Sequence, residues 1–179
     1  MKIALDFDNV LAETMMKWIL HYNKKYHQHT TKSEITRYSF WGNNLPITKK
    51  DAVDIFKSVW AHWKSLSPTE EYLAAKVNLI ADIHQVDIAT SVIPTHIKYI
   101  ERWIKKHKIP HNKIIQCETE EKTKLGYEVI IEDSPIVARD VSNAICLLYD
   151  QPWNRKIRGN NIIRIYKLKE AVSVLRAQL

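Results

Sequence analysis

Seven side chains from four places in the sequence could carry chemistry together: Asp6 and Asp8, Thr90 and Ser91, Lys122, and Glu132 and Asp133. Asp6 and Asp8 close an apolar run, MKIALDFD, and residues two apart on a strand share a face. Two carboxylates so placed repel each other unless a cation or a reaction compensates them. A carboxylate cluster with one lysine and hydroxyl donors suits Mg²⁺ and phosphate, because Mg²⁺ takes hard oxygen ligands, usually one or two carboxylates plus waters and a phosphate oxygen. Asp6 and Asp133 would supply the carboxylates, and Asp8 its backbone carbonyl. Glu132 stands beside them, and the sequence leaves open whether it touches the ion. The cation would cancel most of the like-charge repulsion.

Such a cluster needs elements that deliver its members to one place. KIALDF reads as a buried strand, followed by a helix from about Val10 to Tyr26. Residues 31 to 84 carry helix-start signals and almost no strand pattern. Thr48-x-x-Asp51 opens an amphipathic run to about Trp63, and Ser67-Pro68-Thr69-Glu70 has the form of a capping box opening a helix to about His84. From 86 onward the texture alternates: strands at 86–90, 113–117, 128–133, 145–150 and 161–166, and helices at 94–108, 134–144 and 168–179. Continuous apolar strands alternating with helices predict an α/β fold, a parallel sheet flanked by helices. The core is then built from 1–27 and 85–179, with 28–84 inserted as a small helical cap after the first strand and helix. In such sheets ligands bind beyond the carboxyl ends of the strands, where Asp6, Thr90 and Asp133 fall.

Composition narrows the surroundings. The chain has 179 residues, 45% of them hydrophobic and 26% charged, as in an ordinary globular protein. No apolar stretch approaches the roughly 18 residues of a membrane span, and the N-terminus lacks a signal-peptide pattern, so no membrane partner and a cytoplasmic location are expected. Cys117 and Cys146 lie inside apolar runs and read as buried free thiols. The net charge of +7 and pI near 9.3 suit an anionic partner without identifying it. The densest basic stretch, RWIKKHKIPHNK at 102–113, reads as a solvated helix face. Three glycines exclude a Gly-rich phosphate loop, so phosphate must be held by other means. His21, His27 and His29 sit in a polar stretch without cysteines and read as solvated rather than as metal ligands.

The order DFDNV (6–10), Thr90-Ser91, Lys122 and Glu132-Asp133 resembles the four motifs of the haloacid dehalogenase superfamily of phosphatases, whose core is Rossmann-like. By that resemblance Asp6 is the nucleophile that forms an aspartyl-phosphate. Asp8 then protonates the leaving oxygen and activates water. Thr90, Ser91 and Lys122 hold the phosphate, and Asp6, Asp8, Asp133 and Glu132 surround Mg²⁺. The physical reasons stand beside it: an alkoxide leaves poorly without an acid, and a carboxylate nucleophile splits one hard step into two easier ones.

DQPWNR (150–155), with TSVI, Trp103 and EKTKLG, is similar to the 5′(3′)-deoxyribonucleotidase branch over most of residues 86–155. Lys122 precedes Glu132 by ten residues, the spacing of that branch, which favours it over Lys124 as the phosphate lysine. In SFWGN (39–43) the resemblance makes Phe40 and Trp41 a stacking pair for the nucleobase, with Trp60 a third wall; Trp63, one turn on, reads as cap core. Asn9 stands where the branch has glycine, and Asn tolerates left-handed backbone. Thr14 stands where an aromatic is common, which puts the base preference in doubt. The DQPWNR segment is expected to shape a loop near the phosphate, with Arg155 a candidate contact.

The resemblance implies a Mg²⁺-dependent phosphoric monoester hydrolase acting on nucleoside monophosphates. A small nucleotide is the expected partner, nucleic acid is not, and a homodimer stays open. Rival readings are a phosphatase of another small ester, one acting on nucleic-acid 3′-phosphate ends, a phospho-receiver and a non-catalytic binding protein. A receiver would place its lysine last, whereas Lys122 precedes Asp133.

Overall fold

The computed structural model describes residues 1–43 and 45–177, apart from the side chain of Phe40. Six strands form one sheet: β1 (Lys2–Leu5), β2 (Gln85–Thr90), β3 (Ile114–Gln116), β4 (Val129–Glu132), β5 (Ile145–Tyr149) and β6 (Ile162–Ile165). Their order is β3-β2-β1-β4-β5-β6, and every pairing is parallel. β1 is central because Ile3, Ala4 and Leu5 are buried on both faces, which only flanked strands allow. The chain first builds outward from β1 on one side, through β2 and β3, and then returns to β4 on the other. That reversal leaves a crevice beyond the ends of β1 and β4.

The helices are α1 (Thr14–Tyr26), α2 (Lys49–Ala61), α3 (Leu73–Ala81), α4 (Ile97–Lys106), α5 (Pro135–Asp140) and α6 (Leu168–Arg176). On α4, Ile100, Trp103 and Ile104 turn inward at helical spacing, while Arg102, Lys105 and Lys106 stay exposed. The basic stretch is therefore a solvated face, and its lysines also suit the negative end of the helix. Trp18 and Trp103 are fully buried, each worth roughly 1.5–3 kcal/mol or more as removed apolar surface. Both find a partner for the indole N–H: Trp18 donates to the Ala52 carbonyl, tying α2 to α1, and Trp103 donates to the Leu66 carbonyl. Within the insert, α2 lies on α1, whereas α3 packs against α6 and β2.

Several boundaries differ from expectation, α5 ending at Asp140 rather than 144 among them, and two bear on the site. α1 begins at Thr14 rather than Val10, because residues 9–13 fold back, with Asn9 at φ 59 and its amide donating to the Ala12 carbonyl. Ser67–Glu70 is not a capping box. Pro68 bridges Ala12, Glu13 donates to the Ser67 carbonyl and Thr69 to that of Leu11, so the segment clamps the turn after β1. Glu70, instead of reaching back to a cap, accepts from Tyr149, Lys76 and the amide of Leu168. The competing partners come from distant chain, which local spacing does not contain.

Candidate active site

β1 and β4 end side by side, with the Asp6 amide still donating to the Ile131 carbonyl at 3.0 Å. Asp6 and Asp133 are therefore brought together by the ladder. The third carboxylate, Glu132, ends β4, and oxygens of Asp6, Glu132 and Asp133 lie within 4.8 Å of one another, all buried. Lys122 enters from the 3-10 segment Thr119–Lys124, and its ammonium donates to Asp6 Oδ1 at 2.5 Å and to Glu132 Oε2 at 2.7 Å. Lys124 is exposed, so the structure brings Lys122, not Lys124, into the cluster.

Glu132 is fully committed. Its other oxygen accepts from the amides of Asp133 and Ser134, at 3.0 Å each. Asp133 is the opposite case: its Oδ2 is buried without a hydrogen-bond partner. A buried carboxylate left so is costly unless something positive meets it. Four carboxylates (Asp6, Asp8, Glu132, Asp133) face one ammonium, and the donors are all hard oxygens. Among the described residues, Asp6, Glu132 and Asp133 form a group that could hold a small divalent cation, and Glu132 also accepts from Lys122.

The electrostatics follow from that crowding. Burial and then the negative charge of Glu132 push Asp6 well above the usual carboxylate range, against the pull of Lys122. Burial, then Glu132 and Asp6, does the same to Asp133. Asp8 is pushed up to about 6 by burial, opposed by hydrogen bonds from Trp60 and Thr14. Burial alone would lower Lys122, but Asp6 and Glu132 beside it hold the ammonium well above its ordinary range.

Asn9 keeps the turn after β1 tight. Its left-handed backbone suits asparagine, and its side-chain oxygen accepts from the Met15 amide at 2.8 Å and the Thr14 hydroxyl at 3.2 Å. Thr14 is wholly buried in this clamp, beside Asp8, and is not among the residues lining the cavity. Thr90 is buried at the end of β2, and Ser91 beside it faces a cavity of 390 Å³ that opens over Asp6, Asp8 and Asp133.

The cavity's far wall comes from the insert. Trp41 and Trp60 line it, and Lys49 lies 5.4 Å over the Trp41 ring. The Phe40 side chain lies outside the described part. Trp60 does more than form a wall: its indole N–H donates to Asp8 Oδ1 at 2.9 Å. Tyr38 and Phe56 also line the cavity and were not anticipated. Phe56 had a signal, being one helical turn before Trp60. Tyr38 had none; its phenol meets the Ser134 hydroxyl, and burial, then the charges of Asp133 and Glu132, raise it well above its ordinary range.

The DQPWNR segment acts through its amides. Gln151 donates to the Asn9 carbonyl at 2.9 Å, and Asn154 donates to the Asp133 and Tyr149 carbonyls while accepting from Gln151 and Arg164. Both amides are buried and hold the two carboxylate-bearing turns together. Arg155 is largely exposed and pairs with Asp150, away from the cluster.

Among solved structures, the chain is similar to a haloacid dehalogenase-like family hydrolase, SP0104, from Streptococcus pneumoniae, at 12% identity and TM-score 0.69 over 97% of each chain. It is also similar to a haloacid dehalogenase-like family hydrolase from Xanthomonas campestris, at 12% identity and TM-score 0.57 over 98% of this chain and 94% of that one. CbbY from Rhodobacter sphaeroides, solved in complex with phosphate, aligns at 14% identity and TM-score 0.60 over 94% of this chain and 95% of that one. At these identities the likeness shows the fold. A comparison with curated proteins gives no match. The family model described as "5′ nucleotidase, deoxy (Pyrimidine), cytosolic type C protein" matches residues 1–179.

Proposed function

Since the chain belongs to the 5′ nucleotidase, deoxy (pyrimidine), cytosolic type C family, and is thus a phosphoric monoester hydrolase of haloacid dehalogenase type, we propose that its cleft hydrolyses nucleoside monophosphates with Mg²⁺ through an aspartyl-phosphate on Asp6. The observation that carries this reading is Lys122 and three carboxylates meeting at the ends of β1 and β4, beneath an aromatic-walled cavity. No helix among the described residues is long and apolar enough to cross a membrane, and the family's description is cytosolic.

In this reading the core is 1–27 and 85–179, and the cap is 28–84. Phosphate sits between Thr90, Ser91 and Lys122, whose ammonium has three donors, two of them on Asp6 and Glu132. Asp6 attacks phosphorus, and Asp8 gives its proton to the departing sugar oxygen. Asp8 then takes a proton from the water that releases phosphate from Asp6. Burial excludes bulk water and keeps these charges strong. Asp6 and Asp133, with the backbone carbonyl of Asp8 and Glu132 beside them, would hold Mg²⁺, which would supply positive charge to the phosphate oxygens. Trp41 and Trp60 wall the base, stacking being worth roughly 1–3 kcal/mol.

The test is phosphate release from 5′- and 3′-deoxy- and ribonucleoside monophosphates, with Mg²⁺ and with EDTA, pyrimidines of the deoxy series first. Mg²⁺-dependent release from nucleotides supports the reading. Release only from sugar phosphates or a 3′-phosphorylated oligonucleotide overturns the substrate, and release from none overturns the reaction.

A further inference from the structure

Trp60 belongs to α2, in the insert, yet its indole N–H reaches 52 residues back in the chain to Asp8 Oδ1 at 2.9 Å. An indole is a donor only. The carbonyl oxygen of a carboxyl is its better acceptor, so the contact to Oδ1 favours Oδ2 as the oxygen that carries the proton. The ring is braced on two sides, by Phe56 at 5.3 Å on the same helix and by His96 at 6.0 Å from the core. The N–H is thus aimed by packing, and it is the insert, not the sheet, that aims it.

We propose that Trp60 is a positioning residue for Asp8: it fixes the rotation of the carboxyl and leaves Oδ2 as the oxygen that exchanges protons with the reacting groups. The inference rests on the phosphatase reading above and deepens it. In the first half-reaction an Asp6 oxygen bonds to phosphorus and the ester P–O bond breaks. Its electron pair stays on the leaving oxygen, which takes the proton from Asp8 Oδ2. In the second, a water oxygen bonds to phosphorus, Oδ2 accepts the water's proton, and the pair of the broken Asp6–phosphorus bond returns to Asp6. Since Trp60 sits on α2, this contact is the insert's own hold on Asp8; Thr14, at the start of α1, is the core's.

The test compares wild type, Trp60→Phe and Trp60→β-(3-benzothienyl)alanine, an isostere without the N–H, on a series of substituted phenyl phosphates with Mg²⁺. The isostere keeps the aromatic wall, so lost stacking cannot mimic a lost acid in that variant. Misaligned protonation penalises poor leaving groups most. The kcat/KM of both variants should fall about tenfold or more for phenyl phosphate, progressively less for better leaving groups, and mainly through kcat. A uniform fall across the series, or a change in KM alone, would show a wall and overturn the proposal. Should Trp60→Phe lose its melting transition, the isostere decides. If wild type releases phosphate from neither nucleotides nor phenyl phosphates, the phosphatase reading fails first and this inference with it.

Discussion

The side chain that separates stability from function most cleanly is Asp133. Its unpartnered, buried Oδ2 and raised pKa mean that the charged form opposes folding unless a cation is present. Asp133→Asn should raise the melting temperature of the metal-free protein by about 2–4 °C, the shift for about 1 kcal/mol in a chain of this size, and abolish stabilisation by Mg²⁺. Thermal melts with and without Mg²⁺ check both halves. The sign with pH follows from the same crowding. Asp8 titrates near 6 when folded and near 3.8 when unfolded, so between those values the folded chain keeps a proton that the unfolded chain has lost. Stability of the metal-free protein therefore falls as pH rises through about 4 to 6. Mg²⁺ binds the deprotonated carboxylates, so its stabilisation should be larger at pH 7.5 than at pH 5. An equal shift at both values would contradict this.

At the scale of elements, the turns after β1 and β4 are held by amides from a third turn, after β5. Asn154→Ala would orphan the Asp133 and Tyr149 carbonyls in the interior. It should destabilise by about 3 kcal/mol, since each buried group left unpaired costs roughly 1–3 kcal/mol. It should also lower kcat, because Asp133 loses its anchor. Denaturant melts and steady-state rates read these separately. This is also the scale at which the sequence was most and least legible. β1, β2 and β4 were readable because continuous apolar runs closed by Asp6, Thr90 and Asp133 need no distant information. Asn9 was readable because left-handed backbone restricts residue type. Residues 67–70 misled because a capping-box pattern is local, whereas their true partners, Leu11, Ala12 and Tyr149, come from elsewhere in the chain. The same holds for Trp60: its spacing marked an aromatic on a helix face, but nothing in it could show an N–H aimed at Asp8.

For the whole molecule, charge sets how substrate arrives. The net charge is +7, yet the cleft floor is acidic, and the cations near its mouth are Lys57, lining the cavity, and Lys49 over Trp41. Attraction of a nucleotide dianion is then long-ranged and screened by salt, with a Debye length of about 10 Å at 0.1 M. Raising ionic strength from about 0.02 to 0.5 M should lower kcat/KM several-fold through KM while leaving kcat nearly unchanged. A salt-independent KM would mean that only local contacts recruit substrate.

The position of β1 has a consequence for how the protein is made. The strand leading into Asp6 is made before its two neighbours in the sheet: Ile3 pairs with Val86 on one side and with Val129 on the other. An apolar strand thus leaves the ribosome with both edges bare. It gains one neighbour only after the insert has been made, and the second only after three further elements. Lys122 emerges before the Glu132 that holds it. The cluster therefore cannot form before Glu132 and Asp133 have been made.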